Sequence, residues 1–277
     1  MKDQNLPLNR IDQVSFWIIS LAIIIASILL VYFPRVLENL LREDGLFESC
    51  GAFFFLSTGF ILMTTSVEMY KNGKQEGSLV KWRFLMILGA GILFFLAFGE
   101  EISWGQRIFQ FETPEMMEEI NRQGEMNLHN LDTRVFNNAV ETIVLLMILI
   151  PTIWIHRGKN RLLGFLIPSY WMILSLQLVA SYVTYNYIKT QDYTIFLVLA
   201  YFIFVNTKSK QWINLFYVLF ASILIGITGV INANLREVFP SNGPREFREF
   251  LYAFIFLVFS IKIYLDVKRP AWANIQI

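Results

Sequence analysis

Cysteine, histidine and charge are what this sequence has least of. Of 277 residues one is cysteine, Cys50, and two are histidine, His129 and His156. A lone thiol excludes a disulfide framework and any cysteine-based metal or redox centre within one chain. Two histidines are too few for a three-histidine zinc site, and they give no paired axial ligation of haem on one helix face. There is no Walker phosphate loop, no Gly-x-Ser-x-Gly and no HExxH, so no nucleotide, haem or zinc cluster is expected. Charged residues make up 16% of the chain, well under the roughly 25% of an average soluble domain. The formal net charge of +1 leaves no basic footprint, so nucleic acid is not an expected partner.

What fills the space is apolar. Hydrophobic residues are 55% of the chain, with 26 Phe, 11 Tyr and 7 Trp, and the mean hydropathy is +0.50. That composition excludes a disordered chain and argues against a soluble enzyme, which would need far more polar surface. A helix needs ~20 mainly apolar residues to cross ~30 Å of hydrocarbon. Eight segments qualify, at about 14–33, 50–67, 84–103, 135–155, 162–185, 190–206, 212–235 and 248–266. The sixth has an uncharged stretch of only 14 residues, 193–206, and also fits a re-entrant or interfacial segment. The expected fold class is all-α: a polytopic transmembrane helix bundle forming a single integral membrane domain over 1–277.

Loop charge supports eight crossings. With both termini cytoplasmic, the inner side collects 14 basic and 5 acidic residues, and the outer side 9 basic and 16 acidic, leaving Glu141 within its helix. Lys and Arg are the residues retained on the cytoplasmic side. The first run is read as a signal anchor, because bulky Tyr32-Phe33-Pro34-Arg35 follows it in place of a small-residue cleavage site. Lys262, near the inner end of the last span beside Asp266, is expected to snorkel towards the headgroups.

The polar residues gather on the outer side. The long outer loop from Glu100 to Arg134 contains a predicted short amphipathic helix, with Thr113 as its N-cap, Pro114 in its first turn, an apolar stripe of Met116, Met117 and Ile120, and Gly124 at its end. Arg134, Asn137 or Asn138, and Glu141 recur on one face of the fourth span. Glu141 lies ~9 Å inside that span. A charge at that depth normally faces the bundle interior, so Glu141 must either find a donor, with Arg134, Asn138 or an outer-loop arginine as candidates, or be protonated. Gln177, Ser181 and Thr184 line the outer end of the fifth span, and Thr228, Asn232 and Arg236 that of the seventh. If the third span stays helical past Gly99, Glu100, Trp104 and Arg107 share a face at i, i+4 and i+7. The expectation is a polar pocket open to the outside above an apolar, closed inner half.

Glu100 or Glu101 is the candidate general base or metal ligand, and His129 the candidate acid–base group or ligand, because histidine titrates near neutral pH and binds metals readily. Arg107 is a candidate anion clamp, and Trp104, Asn130, Glu141 and Asn232 are candidate substrate contacts. Any metal would be a hard divalent cation, Mg²⁺, Mn²⁺ or Ca²⁺, held by oxygens with or without His129. Each motif has a plainer alternative. Glu100 and Glu101 also suit a charged helix end beside a Trp belt anchor, and Glu43, Asp44 and Glu48 suit a helix N-terminus. Arg245-Glu246-Phe247-Arg248-Glu249 reads as a solvated, salt-bridged helix end, the alternative being that one of its arginines clamps an anionic headgroup or substrate phosphate.

Three stretches, Glu43-Asp44-Gly-x-x-Glu48, Gly99-Glu-Glu-Ile-Ser-Trp-Gly-Gln-Arg107 and Asn127-Leu-His-Asn130, resemble a family of uncharacterised bacterial multi-pass membrane proteins over about residues 40–135. The resemblance implies the bacterial cytoplasmic (inner) membrane and assigns no activity, substrate or cofactor. Three functions then fit: an enzyme acting on a lipid or lipid-linked substrate at the outer leaflet, a transporter or channel, and a non-catalytic sensor or partner subunit. Membrane lipid is the expected partner in the first.

Overall fold

The computed structural model describes residues 6–41, 45–72, 78–109, 111–114, 133–157, 159–182, 189–235 and 243–268. These form α1 (Leu6–Tyr32), α2 (Pro34–Leu40), α3 (Leu46–Asn72), α4 (Ser78–Glu101), a 3-10 turn (Ser103–Gly105), α5 (Gln106–Phe109) and α6 (Thr133–His156). A hairpin of β1 (Arg161–Leu162) and β2 (Phe165–Leu166) follows, then α7 (Tyr170–Tyr182), α8 (Lys189–Lys208), α9 (Trp212–Leu235) and α10 (Gly243–Lys268). The described residues are all-α apart from that hairpin. It divides into two compact units: residues 1–48, 133–160 and 167–255 form one, and 49–132, 161–166 and 256–277 the other.

The first unit is built around α7. Every residue of α7 from Met172 to Tyr182 is buried, as expected of a helix that is apolar on all sides. It packs against α1, α6, α8 and α9. Ser169 caps it, its hydroxyl accepting the Met172 N–H at 3.4 Å. From α1 come Phe16, Ile19, Ile23, Ala26 and Leu30, a buried stripe at helical spacing. Phe16 and Trp17 meet Tyr217 and Phe220 of α9 edge-on or tilted, with ring centroids 5.0–6.1 Å apart. Polar side chains tie these helices at three levels. Asn206 of α8 donates to the Tyr170 hydroxyl at 2.8 Å, and that hydroxyl donates to the Asn214 carbonyl of α9 at 2.9 Å. Midway, the Gln177 amide donates to the Ile195 carbonyl at 3.4 Å, and at the far end Asn232 donates to the Tyr182 carbonyl.

In the second unit, α3 and α4 touch backbone to backbone. A Cβ on Gly59 would lie 3.1 Å from the Gly91 carbonyl oxygen and 2.7 Å from the Phe95 ring, and one on Gly91 would lie 3.2 Å from the Gly59 oxygen. Leu62, Met69, Ile87 and Val267 form its buried core. The hairpin is pinned from two sides. Arg161 pairs with Asp266 at 2.6 Å, and Arg83 donates from Nε to the Leu163 carbonyl at 3.1 Å. Leu163 and Gly164 take φ of +50° and +80°, the left-handed pair that a two-residue hairpin turn requires. A Cβ on Gly164 would run into the Arg83 guanidinium. Gly164→Val is therefore expected to free the hairpin, at about 1–2 kcal/mol from the left-handed strain alone. Limited trypsin digestion after Arg157, Lys159 and Arg161 should become markedly faster; an unchanged digestion rate would refute the docking.

Six described helices have the length and apolarity of a membrane span: Asn9–Tyr32, Leu46–Lys71, Lys81–Glu101, Asn138–Ile155, Trp212–Leu235 and Pro244–Lys268. Their outward faces are as greasy as their packed ones. Trp17, Leu21, Ile25 and Ile28 are exposed on α1, and Ile213, Phe216, Ile223 and Val230 on α9. Water does not tolerate apolar surface on that scale, so these helices are those of an integral membrane protein.

Four expectations need correction. The segment 162–185 is not one continuous helix: 161–166 fold back as the hairpin, and helix begins only at Tyr170. α7, with 13 residues, and α8, which carries Lys189, Asp192 and Asn206, fall outside the six span-like helices. Asp12, counted as a loop acid, lies inside α1 with 1% of its surface exposed. Lys262 does not snorkel; it is 2% exposed within α10.

Candidate functional site

The polar centre of the first unit forms where α6 meets the start of α10. Glu141 sits two turns into α6, and Arg248 sits on the second turn of α10. Arg248 Nη1 lies 2.7 Å from Glu141 Oε1, and both side chains are 6% exposed. A lone charge in this position would be too costly to keep; the two ions hold each other there. The pairing leaves oxygens over. Glu141 Oε2 is buried and has no hydrogen-bond partner among the described residues, and neither has Asn138 Oδ1. Residues 138 and 141 are one turn apart, so the two spare acceptors lie on one face of α6.

Around this pair the first turns of α10 carry more charge. Arg245 meets Glu246 at 3.2 Å and Glu249 at 3.5 Å. Glu246 is 8% exposed and lies in the field of Glu249, Arg245 and Glu48. Among these six residues, four acids face two arginines. Aromatic rings close the flank: Phe47 stands edge-on to Phe247 and Phe250 at 5.5 and 5.0 Å, and Tyr182 meets Phe247 at 5.3 Å. The reading of 245–249 as a solvated helix end is thus corrected. Arg248 and Glu246 point inward because their side of α10 is packed rather than wet.

Of the partners expected for Glu141, Arg134, Asn138 or an outer-loop arginine, it is an arginine of the 245–249 stretch, Arg248, that arrives, and it lies inside α10 rather than in the loop before it. Arg248 belongs to the stripe with Leu251, Tyr252 and Ile255, all buried, whereas Arg245 and Glu249 are only half-buried. Asn232 has a structural task, the tie to the Tyr182 carbonyl.

The Gly99–Arg107 motif, in the second unit, does not stay helical. α4 ends at Glu101, and Ser103, Trp104 and Gly105 take φ of +48°, +54° and +86°. The face expected to join Glu100, Trp104 and Arg107 at i, i+4 and i+7 is therefore not formed. Trp104 instead folds back over α4. Its Nε1 donates to Glu100 Oε1 at 2.7 Å, and its ring covers Gly99, where a Cβ would meet it at 2.9 Å. Two successive non-glycine residues in the left-handed region are costly, and the clamp of ring on glycine and indole on carboxylate helps hold them. Ser103 is fully buried. Gln106 donates to the Thr113 hydroxyl. His129, Asn130 and the amphipathic helix expected after Pro114 lie outside the described residues, as does the Arg107 side chain. Among the described residues no three His, Cys, Asp or Glu side chains gather as a metal site. No family model matches the chain, and neither a curated protein nor a solved structure does.

Proposed function

We propose that this is a multi-pass protein of the bacterial cytoplasmic membrane that binds the headgroup of a lipid or lipid-linked substrate in the outer half of its helix bundle. The observation that carries the reading is the desolvated Glu141–Arg248 pair with Glu141 Oε2 left unbonded. An ionisable pair at membrane depth marks a binding or transfer site, and a buried oxygen without a donor awaits one. An ammonium or hydroxyl group on the ligand would donate to Glu141 Oε2 and Asn138 Oδ1. The excess of acid among the six charged residues of this centre favours the ammonium. In this reading both termini are cytoplasmic, so that α6 and α10 present these residues outward. In the second unit, Glu100, Glu101 and His129 are the candidate groups for acid–base or hard-cation chemistry, with Arg107, Trp104 and Asn130 beside them in sequence.

Glycerophosphoethanolamine, the water-soluble headgroup, should raise the unfolding temperature of the purified protein in detergent. Saturation at 100-fold over Kd corresponds to ~2.7 kcal/mol. Glu141→Gln keeps the shape and removes the anion, and it should abolish most of that shift. Glycerol phosphate, which lacks the ammonium, should give little. A shift of the same size in Glu141→Gln, or none in the natural chain, rejects the site.

A further inference from the structure

A second binding surface lies in the first unit, between α8 and α9, and nothing in the preceding section uses it. It is a groove of about 1030 Å³. Its α8 wall is a continuous stripe at three- and four-residue spacing from Asp192 to Lys208, which spans ~24 Å at 1.5 Å per residue. Between those ends the wall is apolar, with Ile195, Leu199 and Ile203 along it. The α9 wall is nearly bare, made by Ser222, Ile225, Gly226 and Gly229. A glycine inside a helix costs about 1 kcal/mol relative to alanine. Close packing does not explain these two, because a Cβ on Gly226 or Gly229 would meet nothing within 4 Å. They keep a trench open.

The two ends of the trench differ in sign. Lys208 closes one end, its ammonium 5.9 Å from the centre of the Phe204 ring, with Thr207 beside it and Lys210 exposed just beyond. Asp192 closes the other. A greasy channel with a cation at one end and an anion at the other fits an amphiphile with a negative head, oriented one way.

We propose that the α8–α9 groove holds one anionic phospholipid, with its phosphate at Lys208 and an acyl chain laid over Gly226 and Gly229. The lipid would then be a resident ligand, held more tightly than the surrounding bilayer. Lys208 supplies the attraction for the head, worth about fivefold in affinity for one basic residue at a membrane surface. The open glycine floor supplies contact area that bulky side chains would fill.

The test is native mass spectrometry of the full chain purified in detergent and incubated with equal amounts of phosphatidylglycerol and phosphatidylcholine. The natural chain should keep one phosphatidylglycerol per copy. Gly226→Leu combined with Gly229→Leu fills the trench and should lower that occupancy about tenfold, a loss of ~1.4 kcal/mol. Leucine is the better helix former, and an unchanged thermal midpoint confirms that the variant folds. Lys208→Glu alters only an exposed side chain, and it should cut the preference for phosphatidylglycerol over phosphatidylcholine at least fivefold. Equal lipid retention in the leucine variant, or an unchanged lipid preference in Lys208→Glu, overturns the proposal. So does a natural chain that flies as a lipid-free dimer and becomes monomeric in the leucine variant, since a second copy would then be the occupant.

Discussion

Arg248→Met, with Glu141 left in place, is expected to destabilise the protein by about 3–5 kcal/mol, the scale seen when one partner of a buried ion pair is removed. The pair is desolvated on both sides, each side chain only 6% exposed, so the surviving carboxylate has no water to turn to. It must take up a proton or open the α6–α10 packing. The companion variant, Glu141→Leu with Arg248→Met, removes both charges and should recover most of the loss, because neither ion is then left buried without its partner. Denaturation in mixed micelles measures both. If the single variant unfolds at the natural midpoint, the pair is not buried as described. The double variant should fold and yet fail to respond to glycerophosphoethanolamine, which separates the structural role of the pair from its proposed binding role.

The other large effect is expected at the crossing of α3 and α4. Gly91→Leu puts a branched side chain where the Gly59 carbonyl oxygen lies 3.2 Å from the Cβ position and Met63 Cγ lies 2.9 Å from it. Neither neighbour can yield easily: one is backbone, and the backbone nitrogen of Met63 itself lies 3.2 Å from the Cβ position. Inserting bulk into a tight core costs typically about 1–3 kcal/mol, and here the backbones themselves must separate. The loss should be read as a lower denaturation midpoint and as weaker contact between Phe60 and Phe95, whose rings lie 4.8 Å apart at the same crossing. Adding Gly59→Leu should cost less than a second full increment, because helices already parted accommodate it; residues that touch do not add. Full additivity would show that the two glycines do not face each other.

Residue chemistry along the chain was enough to identify a helical membrane protein, to locate its long apolar segments, and to single out Glu141 as a buried acid in need of a cation. Those properties are local. A helix must satisfy its own backbone in hydrocarbon, and a charge at that depth needs a partner wherever the chain finds one. The ends of elements were harder to read. α4 stops at Glu101 because Trp104 folds back over Gly99, a contact made possible by what glycine lacks, and apolar periodicity carries no trace of it. Arg161–Leu166 is apolar enough to join a span, yet it turns because Gly164 can take φ +80° against Arg83, a residue 81 positions earlier.

The same contrast separates the residues of the polar centre. Hydropathy alone determined that this chain lives in a bilayer, because the exclusion of polar backbone and charge from hydrocarbon acts on every segment independently. Which arginine meets Glu141, which side of Arg245–Glu249 is wet, and that Lys262 and Asp12 are buried were decided only when helices distant in sequence packed together. Ion pairing is a matter of a few ångströms, and that separation is set by the tertiary packing rather than by spacing along the chain.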